Sequence, residues 1–198
     1  MKDSFKWQEI KTEYREIRGR ELRWLINRET IANRETEETI TRSIMRHPGI
    51  CVIVPFLGDD QILLMHQYRF AADEALWELP AGTIEGHEVD ARMVQNETPA
   101  AAAARELEEE TGYRAGLVEQ VGECYAMPGI SDELIYVFFA HELTKGEQAL
   151  EAGEIIDEIT PFSTAEIKAM IASKEIRDAK TLVGLFYALY ATDLKRAV

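Results

Sequence analysis

Glu106, Glu109 and Glu110 stand at positions i, i+3 and i+4 within the run Glu97–Tyr113. On a helix this spacing puts all three carboxylates on one face, where like charges repel by about a few tenths of a kcal/mol per pair. A solvated helix face normally mixes in lysines, and residues 97–113 contain none. A hard divalent cation removes the repulsion, because Mg²⁺ takes oxygen ligands and prefers carboxylates together with substrate phosphates. The competing explanation is a plain acidic, exposed helix. The chemistry in prospect is metal-assisted reaction at a phosphate.

The element that must carry these groups is legible around them. Thr98 is a good N-cap, Pro99 suits the first helical position and a run of alanines favours helix. Gly112 stands where a left-handed cap would end the helix. Ala100, Ala103, Ala104, Leu107 and Thr111 follow the spacing of a buried stripe. The spacing predicts a helix over 98–111 lying close against a sheet, with the three glutamates beside that stripe.

Glu97 is followed by seven residues and then by Arg105-Glu-Leu-Glu-Glu-Glu-Thr-Gly-Tyr113. Further back, Gly82 is followed by five residues and Glu88. These two segments resemble the two halves of the Nudix box, the second at every fixed position. They are separated by an insertion, Val89 to Glu97, that departs from the family pattern. Glu88 and Glu97 both compete for the mid-box role, and Glu97 has the spacing to pair with Arg105. Further short motifs look like the ADP-ribose pyrophosphatase group. They are Arg46-His-Pro-Gly49, His66-Gln-Tyr-Arg69, Glu78-Leu-Pro-Ala-Gly82, Pro128-Gly and Ile176-Arg-Asp-Ala-Lys-Thr-Leu182, and their order persuades more than any one alone.

The resemblance implies hydrolysis of a diphosphate linkage with Mg²⁺ or Mn²⁺. It assigns metal binding to Glu106, Glu109, Glu110 and the backbone carbonyl of Ala81, with Gly82 letting the chain turn without a side chain in the way. It implies that Arg69 binds the diphosphate, a role suited to a planar fork of donors. Arg42 and Glu133 are further substrate contacts. The catalytic base is expected on the loop 144–154, with Glu154 the first candidate and Glu151 the second. The resemblance also implies a homodimer, in which Trp24 or Arg18 could complete the partner's nucleotide pocket. The expected substrate is ADP-ribose or a related nucleoside diphosphate sugar. A GDP-sugar or dinucleotide hydrolase is the first rival, and a non-catalytic nucleotide-sugar sensor the second.

Composition agrees with a soluble protein. The chain has 198 residues, 46% hydrophobic and 29% charged, with 22 basic against 36 acidic residues and a net charge of −14. Such a balance argues against nucleic acid or an anionic membrane as partner, since both call for a basic patch. Cys51 and Cys124 form no C-x-x-C pair and are read as core thiols in a reducing compartment. The first residues lack the apolar segment of a secretory signal, and no run approaches a membrane helix in length, so a cytoplasmic location is expected.

Strands are predicted at Tyr14–Arg18, Glu21–Asn27 and Glu38–Arg46, with Gly19-Arg20 as a turn, although 8–28 could equally be helical. The apolar run Ile50–Phe56 reads as a buried strand and Gln61–Arg69 as its hairpin partner. Leu76–Leu79, Val118–Tyr125, Leu134–Ala140 and Ile155–Phe162 are further strands, and 83–96 is an inserted loop. A capping box at Ser163…Glu166 opens a helix to Ser173, and a last helix runs over 178–196. The fold class is α+β: a mixed sheet sandwiched between helices, with an N-terminal β-rich extension. The expected division is 1–48, associated with the dimer, and 49–198, the hydrolase domain.

Overall fold

The computed structural model describes residues 7–15, 24–33, 35–58 and 60–196. The turn expected at Gly19–Arg20 and the candidate Arg18 lie outside the described residues. The chain divides into two compact units: residues 1–49, 84–97 and 125–134, and residues 50–83, 98–124 and 135–198.

The first unit is built on three antiparallel strands, β1 (Trp7–Arg15), β2 (Leu25–Asn33) and β3 (Thr39–Arg46), in that order. Strand β1 begins well before the strand predicted at 14–18, and β2 runs on past the one predicted at 21–27; residues 16–18 and 21–23 of those predicted strands lie outside the described residues. The physical reason is visible in β2, which buries Leu25, Asn27 and Glu29 in alternation. Two of those three are polar, so the period-two signal is hidden from any hydrophobicity pattern. Glu29 is tolerated because Arg46 grips it with both Nε and Nη2, the Nε contact at 2.7 Å, while Arg46 Nη1 reaches Asp132 at 3.0 Å. A buried carboxylate without such a partner would be strongly destabilising.

Residues 83–96, expected as a loop, instead contain the hairpin β8 (Gly86–Val89) and β9 (Arg92–Gln95). Its two-residue turn places Asp90 and Ala91 at φ 47° and 64°. That left-handed pair is the turn whose twist suits a tight hairpin. Ala91 is buried, its carbonyl accepting a 2.9 Å bond from Asn27 Nδ2, and Gln95 Nε2 donates to Pro48 O at 2.7 Å. The segment 125–134 runs beside β3, exchanging bonds through Met45 N to Ile130 O and Asp132 N to Met45 O.

The second unit holds two sheets. One has the order β11 (Leu117–Tyr125), β12 (Leu134–His141), β4 (Ile50–Pro55), β7 (Ala81–Thr83), with β12 parallel and β7 antiparallel to β4. The other has the order β14 (Ile156–Ser163), β5 (Gln61–Arg69), β6 (Glu74–Glu78). The predicted β4–β5 hairpin is therefore corrected. Among the described residues they meet at a bridge between Phe56 and Ile62, beside which Leu57 N donates to Gln61 O at 2.8 Å, and then diverge into different sheets. Both are buried on two faces, which is why each reads as a continuous apolar run. A small pair, β10 (Tyr113–Arg114) with β13 (Thr144–Lys145), was too short to predict.

Three helices flank these sheets: α1 (Pro99–Thr111), α2 (Thr164–Ser173) and α3 (Ala179–Arg196). Helices α1 and α3 pack on β4, and α2 packs on β14. The mixed α+β architecture with an N-terminal β extension is as expected. The capping box of α2 is complete, with Ser163 and Glu166 each bonded to the other's backbone N–H. Gly184 brings α3 against the sheet: a Cβ there would lie 2.5 Å from Leu79 Cδ1.

Candidate functional site

Helix α1 begins as its residues dictate. Thr98 is extended and its side chain accepts from Ala101 N, while Gly112 ends the helix at φ 71° and donates to Glu108 O. The buried stripe is rotated from the predicted one. Ala102, Ala103, Glu106, Leu107, Glu110 and Thr111 are buried, while Ala100 and Ala104 are exposed. Two of the three glutamates thus lie within the buried stripe rather than beside it. An apolarity count could not show this, because it scores glutamate as solvent-facing.

The burial is made possible by Ala81 and Gly82, which lie extended on β7 and do not form the turn expected at Gly82. Ala81 N–H donates to Glu110 Oε2 at 2.9 Å. Gly82 has no side chain, and the Glu106 carboxylate fills that space: an ideal Cβ would lie 1.9 Å from its carboxyl carbon. Arg105 Nη1 binds Glu106 Oε1 at 2.8 Å and Glu109 Oε2 at 3.0 Å, and Arg105 Nη2 reaches the Thr83 carbonyl at 3.4 Å.

Burial disfavours the charged forms of Glu106 and Glu110. Burial pushes the Glu106 carboxyl up to about 7, against the opposing pull of Arg105, with Glu109 and Glu151 adding repulsion. Burial also pushes Glu110 well above the usual carboxylate range, against the Ala81 N–H, and Glu106 and Glu154 push it further while Arg69 opposes. Glu110 is thus within electrostatic reach of Glu106, Glu154 and Arg69, and Glu106 of Arg105, Glu109 and Glu151, so that carboxylates outnumber cations around the pair.

A divalent cation fits this donor set in kind: hard oxygen ligands, crowded and desolvated. Among the described residues, no three such side chains converge into a ready-made ligand set. Arg105 instead holds Glu106 and Glu109 together, and the Ala81 N–H holds Glu110.

Arg69, predicted to bind phosphate, is turned onto Glu78. Its Nε and Nη2 meet Glu78 Oε1 and Oε2 at 2.9 and 2.7 Å. Glu78 is fully buried and also takes Lys180 Nζ, which in turn reaches Asp178 at 2.9 Å. Thr181 completes the chain, its hydroxyl accepting from Leu79 N at 2.9 Å and its N–H donating to Asp178. Three short motifs that are weak alone, around 66–69, 78–82 and 176–182, are therefore one network.

On the loop before β14, Glu154 Oε2 accepts from Glu151 N at 2.8 Å. Arg42 and Glu133 belong to the other unit. Arg42 is exposed on β3 and donates to Thr41 O, and Glu133 N bonds to Ser131 Oγ at 3.0 Å. Trp24 immediately precedes β2 and is half-buried. Cys51 is a buried free thiol whose titration burial raises to about 12, so it behaves as a core residue.

Residues 45–182 match the NUDIX domain family. The chain belongs to the NUDIX family. Among NUDIX relatives, it is 32% identical to the Bacillus methanolicus methanol dehydrogenase activator, over 96% of this chain and 97% of that one. It is also 32% identical to the ADP-ribose pyrophosphatase of Bacillus subtilis strain 168, over 79% and 78% of the two chains. A crystal structure described as an ADP compounds hydrolase shares the fold, with a TM-score of 0.76 over 98% of this chain and 97% of that one at 18% identity.

Sequence reasoning gave this NUDIX chain no role for Glu78, Asp178 or Lys180. A signal was present: Glu78 is a lone charge in the apolar strand Leu76-Trp-Glu-Leu79, and a buried charge needs a partner. Which partner answers it, more than a hundred residues away at Lys180, is set by packing alone. Among the described residues no helix is long and apolar enough to cross a membrane.

Proposed function

We propose that this chain hydrolyses the diphosphate linkage of ADP-ribose or a related nucleoside diphosphate sugar, giving a nucleoside monophosphate and a sugar phosphate. The observation that carries this reading is the burial of Glu106 and Glu110 against Ala81 and Gly82 of β7, which disfavours their charged forms and which a bound cation would offset. Similarity to a relative named as an ADP-ribose pyrophosphatase supports the choice of substrate.

Glu106, Glu109 and Glu110, with the Ala81 carbonyl, would hold the cation, Mg²⁺ or Mn²⁺. When bound, such an ion screens diphosphate charge and lowers the pKa of the attacking water. Glu154 takes the proton from that water as general base, with Glu151 the second candidate. Arg69 has Nη1 left to donate to a phosphate oxygen while Glu78 holds the rest of its fork. Arg42 and Glu133 are the further candidates for substrate contact. The working unit is a homodimer, in which Trp24 serves the partner's nucleotide pocket.

The deciding experiment is a panel of ADP-ribose, other ADP-sugars, GDP-mannose, UDP-sugars and dinucleotide polyphosphates with Mg²⁺, products identified by mass. Release of AMP and ribose phosphate from ADP-ribose, at a higher kcat/KM than the rest, is expected. Preference for a GDP-sugar or a dinucleotide would move the assignment within the family. Binding without turnover of any member would replace hydrolysis with sensing.

A further inference from the structure

The loop that carries Glu151 and Glu154 is tied to the end of the helix that carries Glu109 and Glu110. A helix leaves its last carbonyls without intrahelical partners. In α1, Glu108 O takes the Gly112 cap, and the next groups are taken by the loop. Ala149 N donates to Glu109 O at 2.9 Å, Gln148 Nε2 to Glu110 O at 2.7 Å, and Gly146 N to Gly112 O at 2.6 Å. Gly112 permits this approach as well as its own φ, since a Cβ there would lie 3.0 Å from Gln148 N. Beyond the clamp, the loop turns through Gly153 at φ 101° and closes on itself through Glu154 N to Glu151 O at 3.1 Å.

The residues whose side chains would hold the cation therefore use their own backbone carbonyls to hold the loop. The two backbone donors in the clamp are available whatever the side chains are. The Gln148 amide is the side-chain member, and it binds the carbonyl of Glu110 itself. A residue elsewhere on an acidic loop would be free to vary, whereas this one has a donor aimed at a defined acceptor.

We infer that Gln148 is a positioning residue: its amide, bonded to Glu110 O, keeps loop 146–154 in register with α1 so that Glu154 stays beside the Glu110 carboxylate. The inference rests on the reading of Glu154 as base, and it adds how that base is placed. Gln148 acts through the placement of the loop, its amide being spent on Glu110 O. Its loss lowers the fraction of enzyme with the base in place, which acts on kcat and leaves KM nearly alone.

The test is a cycle of Gln148→Met, which keeps length and removes the donor, with Glu154→Gln, assayed on the best substrate of the panel. Gln148→Met should lower kcat about fivefold to tenfold with KM within about twofold, the size expected for one lost hydrogen bond. Gln148→Asn, which keeps an amide on a shorter stem, should recover part of that loss. Amides of 146–155 should exchange with deuterium faster in Gln148→Met, with the midpoint of thermal unfolding unchanged. In the Glu154→Gln background the effect of Gln148→Met should vanish, because there is no base left to place. Wild-type kcat in Gln148→Met, or effects that simply multiply, would overturn the positioning role while leaving Glu154 as base. A wild-type rate in Glu154→Gln would instead overturn the base reading, and this inference with it.

Discussion

The Glu106 carboxylate occupies the space that a side chain at Gly82 would need, with its carboxyl carbon 1.9 Å from an ideal Cβ. Glycine at this position is thus demanded by a close approach and not by backbone conformation, since Gly82 is absent from the positive-φ residues. Gly82→Ala must push the carboxylate aside or separate β7 from α1. The expected result is a fall in kcat/KM of at least about a hundredfold, from misplacement of a group by about 1 Å. Stability should fall by about 1–3 kcal/mol, the usual cost of overpacking. Steady-state kinetics and urea unfolding on the same preparations check both, and a fully active alanine variant would remove Glu106 from the site.

Helix α1 was legible in the sequence because its caps, its alanines and its terminal glycine all state the same thing locally. Strands β4 and β5 were legible as elements, but their pairing was not, since a continuous apolar run does not say which sheet it joins. The hairpin β8–β9 was missed because Asp90-Ala91 carries no glycine to announce its left-handed turn. At the site, the chemical types of Glu106, Glu109 and Glu110 were readable from spacing. The inward rotation of the first and last of these was not, because it depends on what Ala81 and Gly82 leave open. Glu78, on strand β6, shows the same limit, with its partner Lys180 supplied by helix α3.

Glu78 is fully buried between Arg69 and Lys180. Glu78→Gln keeps the shape and removes the charge, leaving two cations facing a neutral amide. Breaking a buried pair in this way costs about 3–5 kcal/mol. The prediction is a loss in that range by denaturant titration, with KM raised more than kcat is lowered, because Arg69 loses its support. A change under about 1 kcal/mol would mean that water already screens the pair.

His47 supplies a pH dependence independent of the glutamates. Its imidazole is held down to about 4 by burial, which outweighs the favourable charge of Asp132. Its Nδ1 accepts from Gly49 N at 3.0 Å, so the folded protein uses the neutral ring. The unfolded chain binds a proton near the ordinary value of about 6.5 while the folded one does not. Stability is therefore fully present above about 6.5 and is lost as pH falls toward 4, reaching at most about 3 kcal/mol from this group. His47→Asn keeps an acceptor and does not titrate, so the wild-type and variant stability curves should converge at neutral pH and separate below it. Parallel curves from pH 7 to 4.5 would show that the ring protonates without cost.

Glu110 sets stability against function. Its carboxylate is buried, repelled by Glu106 and Glu154, and supported by the Ala81 N–H and the Arg69 charge. Glu110→Gln retains an oxygen for Ala81 N–H and discards the charge. Without divalent ions at pH 8, where the wild-type carboxylate is driven toward ionisation against its surroundings, the variant should unfold at a higher temperature. Added Mg²⁺ or Mn²⁺ should raise the wild-type midpoint in proportion to the logarithm of ion concentration above its Kd, and should raise the variant's much less. Turnover should be nearly abolished in the variant. The two readouts are separate: a variant no more stable than wild type would mean that water or a counter-ion already relieves Glu110, whereas an undiminished response to Mg²⁺ would remove Glu110 from the ligand set. Gain of apo stability together with loss of the ion response is the signature of a carboxylate kept buried for a cation.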